Sequence, residues 1–388
     1  MNYLDTAKSL HDEIIENRRY LHRNPEIGFD LPKTSAFVIN KLEEYGYDDI
    51  THLLEHGFYV EVGNGDGKTI LLRADMDGLP IQEKSGVEFA SETEGRSHTC
   101  GHDIHTSTML AVAKMLKENE EALEGRVRIE FQPAEELLIG SEKMVEAGLL
   151  DGVDAALAAH VSPTDDLGLY FNEGLSLASA NNYRIKVKGV GAHGAMPYNG
   201  VDPVFIGSQI VNALQVIVSR ELPFDKSATV STGGFMSPGS MNVIPDHVVL
   251  EGTVRSFDVE SQEYIKKRLP EIVEGIAKTY RAEVDFEFLS DVPPLYNDEE
   301  LTREMHQYTE DYLGSDYTIG DFVPVHASED FAFVTHQVPS VYFFTGTAHP
   351  DHPRKPVHHP EVFFNEEGMA YTAAAFAQMA TQWLANHK

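Results

Sequence analysis

The chain has a single cysteine, Cys100, and so cannot form an internal disulfide. That excludes a disulfide-stapled extracellular scaffold and suits a reducing compartment. Positive charge is scarce: 30 Lys and Arg stand against 62 Asp and Glu, a formal net charge of -32. A surface this acidic repels nucleic-acid phosphates and anionic lipid, so neither is an expected partner. No apolar run approaches the roughly 20 residues needed to span a bilayer, and no membrane segment is expected. The opening stretch MNYLDTAKSLHDEII lacks a charged segment followed by an apolar one, so it does not read as a secretory signal. A cytoplasmic location is therefore expected. Low-complexity tracts and solenoid-period repeats are also missing.

What is present is an alternation of strand and helix. At 388 residues the chain exceeds one ordinary core, and two domains are expected. Apolar spacing predicts one helix over Leu4–Leu21 and another over Lys33–Tyr45, with Gly46 as its C-cap. FYVEVG (58–63) and KTILLRAD (68–75) read as strands, and helical periodicity resumes after His105. RVRIEFQ (126–132) is a strand, SEKMVEAGLL (141–150) a helix, and AALAAHV (155–161) a near-continuous apolar strand. From about Asn181 the pattern changes. Strands at 183–189, 227–235, 247–257 and 282–289 surround helices at 202–220 and 260–280. That β-α-β-β-α-β order is the ferredoxin-like split motif. The segment 291–298 reads as a linker, after which a strand at 338–346 and a helix at 366–385 restore the α/β pattern. The expected architecture is α/β, with a small α+β domain (183–294) inserted into a larger one (1–182 and 295–388).

Residue types that bind metals collect where strands end. Cys100-Gly101-His102 is one such place, and Glu135-Glu136 directly after the strand 126–132 is a second. His160 closes the apolar strand, and His358-His359-Pro360 lies in the His-rich run HPDHPRKPVHHP. In open α/β sheets, ligands gather at the carboxyl ends of the strands. A donor set of thiolate, imidazole and carboxylate suits Zn, Co, Ni or Mn better than Ca or Mg. Two adjacent glutamates can divide the work, one binding metal and one taking a proton from water. Each feature has a plainer alternative: a packed thiol, a solvated helix start, a His-rich surface loop. Their shared position at strand ends favours a single site.

LHRNPEIG (21–28), LLRADMDGLPIQE (71–83), HTCGHDIHT (98–106), FQPAEE (131–136), GAHGAMP (191–197), NVIPD (242–246), EGTVRSF (251–257), SEDFA (328–332) and HHP (358–360) occur in one order along the chain. In them the chain resembles the metal-dependent amidohydrolases related to hippurate hydrolase, the N-acyl-amino-acid amidohydrolases and the plant auxin-conjugate hydrolases. These belong to the aminoacylase/carboxypeptidase superfamily of binuclear metallohydrolases. The resemblance covers essentially the whole chain. It implies a zinc-peptidase-like catalytic domain with a mixed sheet, interrupted by a ferredoxin-like lid and dimerisation domain. It implies two divalent metal ions per subunit, Mn, Zn, Co or Ni, held by Cys100, His102, Glu136, His160 and His358, with Cys100 between them.

The same resemblance makes Glu135 the general base and His193 a polariser of the substrate carbonyl. Asn242, Arg255 and Glu329 become substrate contacts. Asp75, Asp77, Asp103 and His105 become groups that support the ligands. The implied reaction is hydrolysis of the amide of an N-acyl amino acid, by a homodimer joined through the inserted domain. Two enzymatic alternatives are an N-acetyl-diaminopimelate deacetylase and a dipeptidase or carboxypeptidase. The non-enzymatic alternative is a metal-binding protein, which has no need of Glu135. His98 has no assigned role. Tyr198 stands where relatives usually carry His. Leu137-Leu138-Ile139 occupy a stretch that is commonly Gly-rich, and are expected to line or narrow the acyl pocket.

Overall fold

The computed structural model describes residues 2–388 apart from Asn64, Asp66, Asp321 and Phe322. Its contacts divide the chain into two compact units. The first comprises 1–176, 296–323 and 330–388, and the second comprises 177–295 and 324–329.

The first unit is built on an eight-stranded mixed sheet. The strands Arg126–Gln132, Thr69–Asp75, Ala155–Ser162 and Ser340–Gly346 lie side by side and parallel. Phe58–Gly63 adds antiparallel on one side, and Gly168–Tyr170 adds antiparallel on the other. Thr69–Asp75 and Ser340–Gly346 are buried along their whole length, as expected of strands covered on both faces. The helices His102–Lys117 and Gly368–Asn386 share their apolar core.

The second unit is a four-stranded antiparallel sheet in the order 228–236, 247–256, 181–188, 283–288, with helices Pro203–Val216 and Val259–Thr279. In Asn181–Lys188, Tyr183, Ile185 and Val187 are buried while Arg184 and Lys186 are exposed. The period of two thus gives the sheet one apolar and one polar face. Asp202 caps the first helix by accepting from the N–H groups of Val204 and Phe205, and Asp258 caps the second by accepting from Ser261.

Several elements differ from the sequence expectation. The first helix is two, Tyr3–Ser9 and His11–Arg23, broken at Leu10. The Ser9 hydroxyl donates back to the Thr6 carbonyl there, a bond that competes with continued helix. The helix after the strand 126–132 is shorter, Gly140–Glu146. Pro203–Val216 runs on into a wider turn, Ile217–Glu221. The helix Glu299–Leu313 is an additional element, capped by Asp298. The helix expected after His105 begins at His102, because its polar first turn breaks the apolar period.

Gly101 precedes that helix with φ 92°. A Cβ there would collide with Val161 on the neighbouring strand. The glycine therefore brings the helix start down onto the strand that carries His160. Among the described residues, no helix is long and apolar enough to cross a membrane.

Candidate metal centre

Three strand ends converge at one edge of the first unit's sheet. Asp75 ends its strand opposite Gln132. After Gln132 the chain passes through Pro133 and Ala134 into a single tight turn, Glu135–Leu137. Ala134 and Leu138 bracket that turn at φ 60° and 58°, a region that side chains other than glycine rarely adopt. The Asp77 carboxylate fixes the turn by accepting from the N–H groups of Glu135 (3.1 Å) and Glu136 (3.3 Å). Such local strain persists only where surrounding structure holds it, and it clusters at functional sites.

Cys100 sits at the middle of the donors. Its Sγ lies 3.3 Å from Nε2 of His160 and 3.2 Å from Nε2 of His358. Two donor triads share it: Cys100 with His102 and His160, and Cys100 with Glu136 and His358. Within each triad the ligating atoms lie within 4.8 Å of one another. The His358 backbone, at φ 66°, is tied to the cysteine segment by its N–H, which donates to the Thr99 carbonyl at 2.9 Å.

The tautomers of the ligating imidazoles follow from their other nitrogens. His102 donates from Nδ1 to the Asp77 carbonyl at 2.8 Å, and His160 donates from Nδ1 to the Val161 carbonyl at 2.7 Å. In the neutral ring each Nε2 then carries the lone pair. His102 Nε2 is buried without a hydrogen-bond partner among the described residues. It faces Asp75 at 3.7 Å, Glu135 at 3.8 Å and Glu136 at 4.0 Å. Glu136 Oε1 is also buried without a hydrogen-bond partner among the described residues, and faces His358 Nε2 at 3.4 Å.

The electrostatics demand positive charge at this spot. Burial pushes the Cys100 thiol well up, and Glu136, Glu135 and Asp75 push it further. Burial alone lowers the pKa of His102, but Asp75, Asp77 and Glu136 outweigh it and carry it to about 10. A proton on His102 answers the carboxylates but leaves Cys100 a thiol. Divalent cations answer the carboxylates and stabilise the thiolate as well. The donor set fits a metal on both counts.

Asp75 is fully committed: Oδ2 accepts from Arg73 and Oδ1 from Nδ1 of His105, each at 2.6 Å. Burial works against its charge, but Arg73, His102 and His105 hold its carboxyl well below the usual range. His105 Nε2 in turn accepts from the Val161 N–H at 3.0 Å, so both its ring nitrogens are engaged. Asp103 accepts from Arg18 (3.0 Å) and from His22 (2.8 Å). Its bonds run to the helix His11–Arg23 and not to a member of the triads. His98 is buried, with neither ring nitrogen bonded among the described residues, and burial lowers its pKa to about 4.

In the second unit His193 and Asn242 come together. His193 pairs with Val243 in a short two-stranded ladder, and the Gly194 N–H donates to the Asn242 carbonyl at 2.8 Å. His193 is exposed, and its Nδ1 accepts from the Ala195 N–H at 3.1 Å. Arg255 lies on the strand 247–256, where it donates to the Thr253 hydroxyl and the Val254 carbonyl. Burial lowers its pKa, and no carboxylate lies in ion-pair range of it among the described residues. Glu329 is buried at the end of the segment 324–329.

Sequence reasoning missed Arg73, a guanidinium buried among Gln132, Asp75 and Asp330. Its signal was a charge in the middle of the apolar strand TILLRAD.

The sequence model of Peptidase family M20/M25/M40 matches residues 71–382. An N-acetyl-L-cysteine deacetylase of Bacillus subtilis is 38% identical over 341 residues, 87% of this chain and 81% of that protein. The IAA-amino acid hydrolase ILR1-like 5 of Arabidopsis thaliana is 37% identical, covering 99% of this chain and 90% of its own. A thermostable carboxypeptidase of Saccharolobus solfataricus is 36% identical over 88% of this chain and 87% of its own. The solved structure of a dinuclear metal binding peptidase from the M20 family, from Bacillus subtilis, matches with a TM-score of 0.81 at 32% identity. That match covers 97% of this chain and 99% of the other. The chain belongs to Peptidase family M20/M25/M40 and is a hydrolase of its metallopeptidase and amidohydrolase type.

Proposed function

We propose that the protein hydrolyses the amide bond of N-acyl-L-amino acids, releasing a carboxylate and a free amino acid. The observation that carries this reading is the position of Cys100 Sγ, shared by two donor triads beside a glutamate that belongs to neither. Cys100, His102 and His160 would hold one cation, and Cys100, Glu136 and His358 the other. Mn, Zn, Co and Ni all suit such donors. When bound, the ions supply an acidified water and polarise the scissile carbonyl.

Glu135 does the proton work. Its backbone is anchored by Asp77, and its carboxylate stands 3.8 Å from His102 Nε2. It takes the proton from the attacking water and passes it to the leaving amine. His193 keeps Nε2 for the developing oxyanion while Nδ1 is held by its own loop. Arg255, without an anionic partner among the described residues, receives the substrate carboxylate with two parallel hydrogen bonds. Asn242 and Glu329 complete the substrate contacts. Asp75, Asp77 and His105 hold the ligand-bearing segments.

Residues 183–294 would form a ferredoxin-like lid and dimerisation domain on a catalytic domain of 1–182 and 295–388. Among the described residues, the outer strand 228–236 leaves one edge of its sheet unpaired. Exposed Val204, Phe205, Phe235 and Met236 lie on that strand and the helix 203–216, which supports a homodimer through this domain. A cytoplasmic site of action fits the single unpaired cysteine.

A relative named as a carboxypeptidase supports peptide cleavage as a second reading. One panel tests both. Apo-protein is reloaded with Mn, Zn, Co or Ni and given N-acetyl, N-benzoyl and N-acetyl-diaminopimelate substrates and dipeptides. Turnover of N-acyl amino acids above dipeptides is expected. Dipeptides cleaved in preference would favour the peptidase, and no turnover by any metal form would overturn both.

A further inference from the structure

A continuous run of hydrogen bonds joins a buried guanidinium to one of the two donor triads. Arg73 sits inside the sheet with 2% of its surface exposed. Nε donates to Gln132 at 2.8 Å, Nη1 to Asp75 at 2.6 Å and Nη2 to Asp330 at 3.2 Å. Asp75 passes the constraint to His105 Nδ1 at 2.6 Å. His105 Nε2 accepts from the Val161 N–H at 3.0 Å. The carbonyl of the same residue accepts from Nδ1 of His160 at 2.7 Å. No bond in this run reaches Glu136 or His358.

We propose that Arg73 is a positioning residue that acts chiefly on one of the two metals: through Asp75, His105 and the Val161 backbone it sets the His160 ring for the Cys100–His102–His160 triad. The proposal rests on reading both triads as metal sites.

The physical basis is that a metal-binding imidazole needs its orientation fixed from its far nitrogen. Most often a carboxylate or a carbonyl does so directly. Here the carbonyl belongs to the residue next to the ligand, so its direction depends on how the strand end at Val161 is held. His105 holds that end from the helix 102–117, and Asp75 fixes the tautomer that lets His105 accept the Val161 N–H. Arg73 then fixes Asp75 while its other two donors lock the neighbouring strand and Asp330. Lysine cannot replace it, because one ammonium cannot meet three acceptors in a planar fork.

The test is metal binding by the full chain. Apo-protein is titrated with Co(II), and its two affinities and its thiolate-to-Co(II) absorption are followed. Wild type must bind two ions; if it binds fewer, the two-site reading fails before any variant is compared. Arg73→Lys is expected to weaken one ion by about 10–100-fold, the range found for groups that orient ligands, and to leave the other within about threefold. His105→Leu, which keeps Arg73 and its ion pairs, is expected to show the same asymmetry. His105→Gln is expected to bring the weakened ion back towards wild-type affinity, since its amide can donate to Asp75 and accept from Val161. If both ions keep wild-type affinity in Arg73→Lys and His105→Leu, or weaken equally, the proposal is overturned.

Discussion

Cys100 Sγ lies 3.2 Å from Nε2 of His358, although 258 residues separate them in sequence. His160 Nε2 approaches the same sulfur at 3.3 Å. A thiol buried among carboxylates gains nothing from that position as packing: burial and three acids all oppose its ionisation. Between two cations the same acids become an asset.

That relationship makes the cysteine substitutions informative. Cys100→Ala should lose metal at both triads and more than about 100-fold in activity, beyond the loss typical of a group that only orients a ligand. Cys100→Asp should keep part of both, since a carboxylate also bridges. Metal content by elemental analysis, set beside activity, checks this. Full metal retention in Cys100→Ala would return the thiol to a packing role.

Glu135 separates catalysis from binding. Glu135→Gln should retain both ions and lose activity by about 10²–10⁴-fold, the range of a general base. KM should change little, because the bonds that place the turn come from its backbone. A variant that turns over normally would remove Glu135 from the mechanism.

Gly101 is a test of the scaffold. Its φ of 92° and the proximity of Val161 both exclude a side chain. Gly101→Ala should cost about 1–2 kcal/mol from the backbone alone, with more from the collision. Urea unfolding of the apo-protein measures this free of metal linkage. An unchanged midpoint would show that the helix start has room to move.

Leu138 joins strain to specificity. At φ 58° it occupies a conformation that glycine accepts without penalty. Leu138→Gly should therefore relieve about 1 kcal/mol of strain, partly offset by greater freedom of the unfolded chain. If the Leu137–Ile139 segment narrows the acyl pocket, the benzoyl-to-acetyl ratio of kcat/KM should rise in this variant. An unchanged ratio would detach the segment from acyl selection.

The parts of this site legible in sequence were those set by local spacing. Cys100 and His102 flank a glycine, Glu135 and Glu136 follow a strand directly, and His160 lies near the end of an apolar one. Parallel strands bring the ends beside Glu135–Glu136 and His160 to one edge, so their convergence followed from pattern, whereas Cys100 and His102 lie not at a strand end, as expected, but at the start of the helix His102–Lys117. His358 lies in a loop without periodicity; residue type marked the run 358–360, and the family resemblance chose His358 within it. The direction of Asp103 was not legible, because adjacent residues at a helix start face about 100° apart and Arg18 lies 85 residues away. Arg73 was visible as a charge in an apolar strand, and Asp75 stands two residues along that strand, but its other partners, Gln132 and Asp330, come from two distant segments.

The most direct test of the central claim, one sulfur shared by two cations, is ¹¹³Cd NMR of the protein loaded with two equivalents of cadmium. Two resonances are expected, both shifted downfield by a thiolate ligand and coupled to one another through it. In Cys100→Ser both should move upfield. A single thiolate-shifted resonance, or two that Cys100→Ser leaves in place, would contradict it.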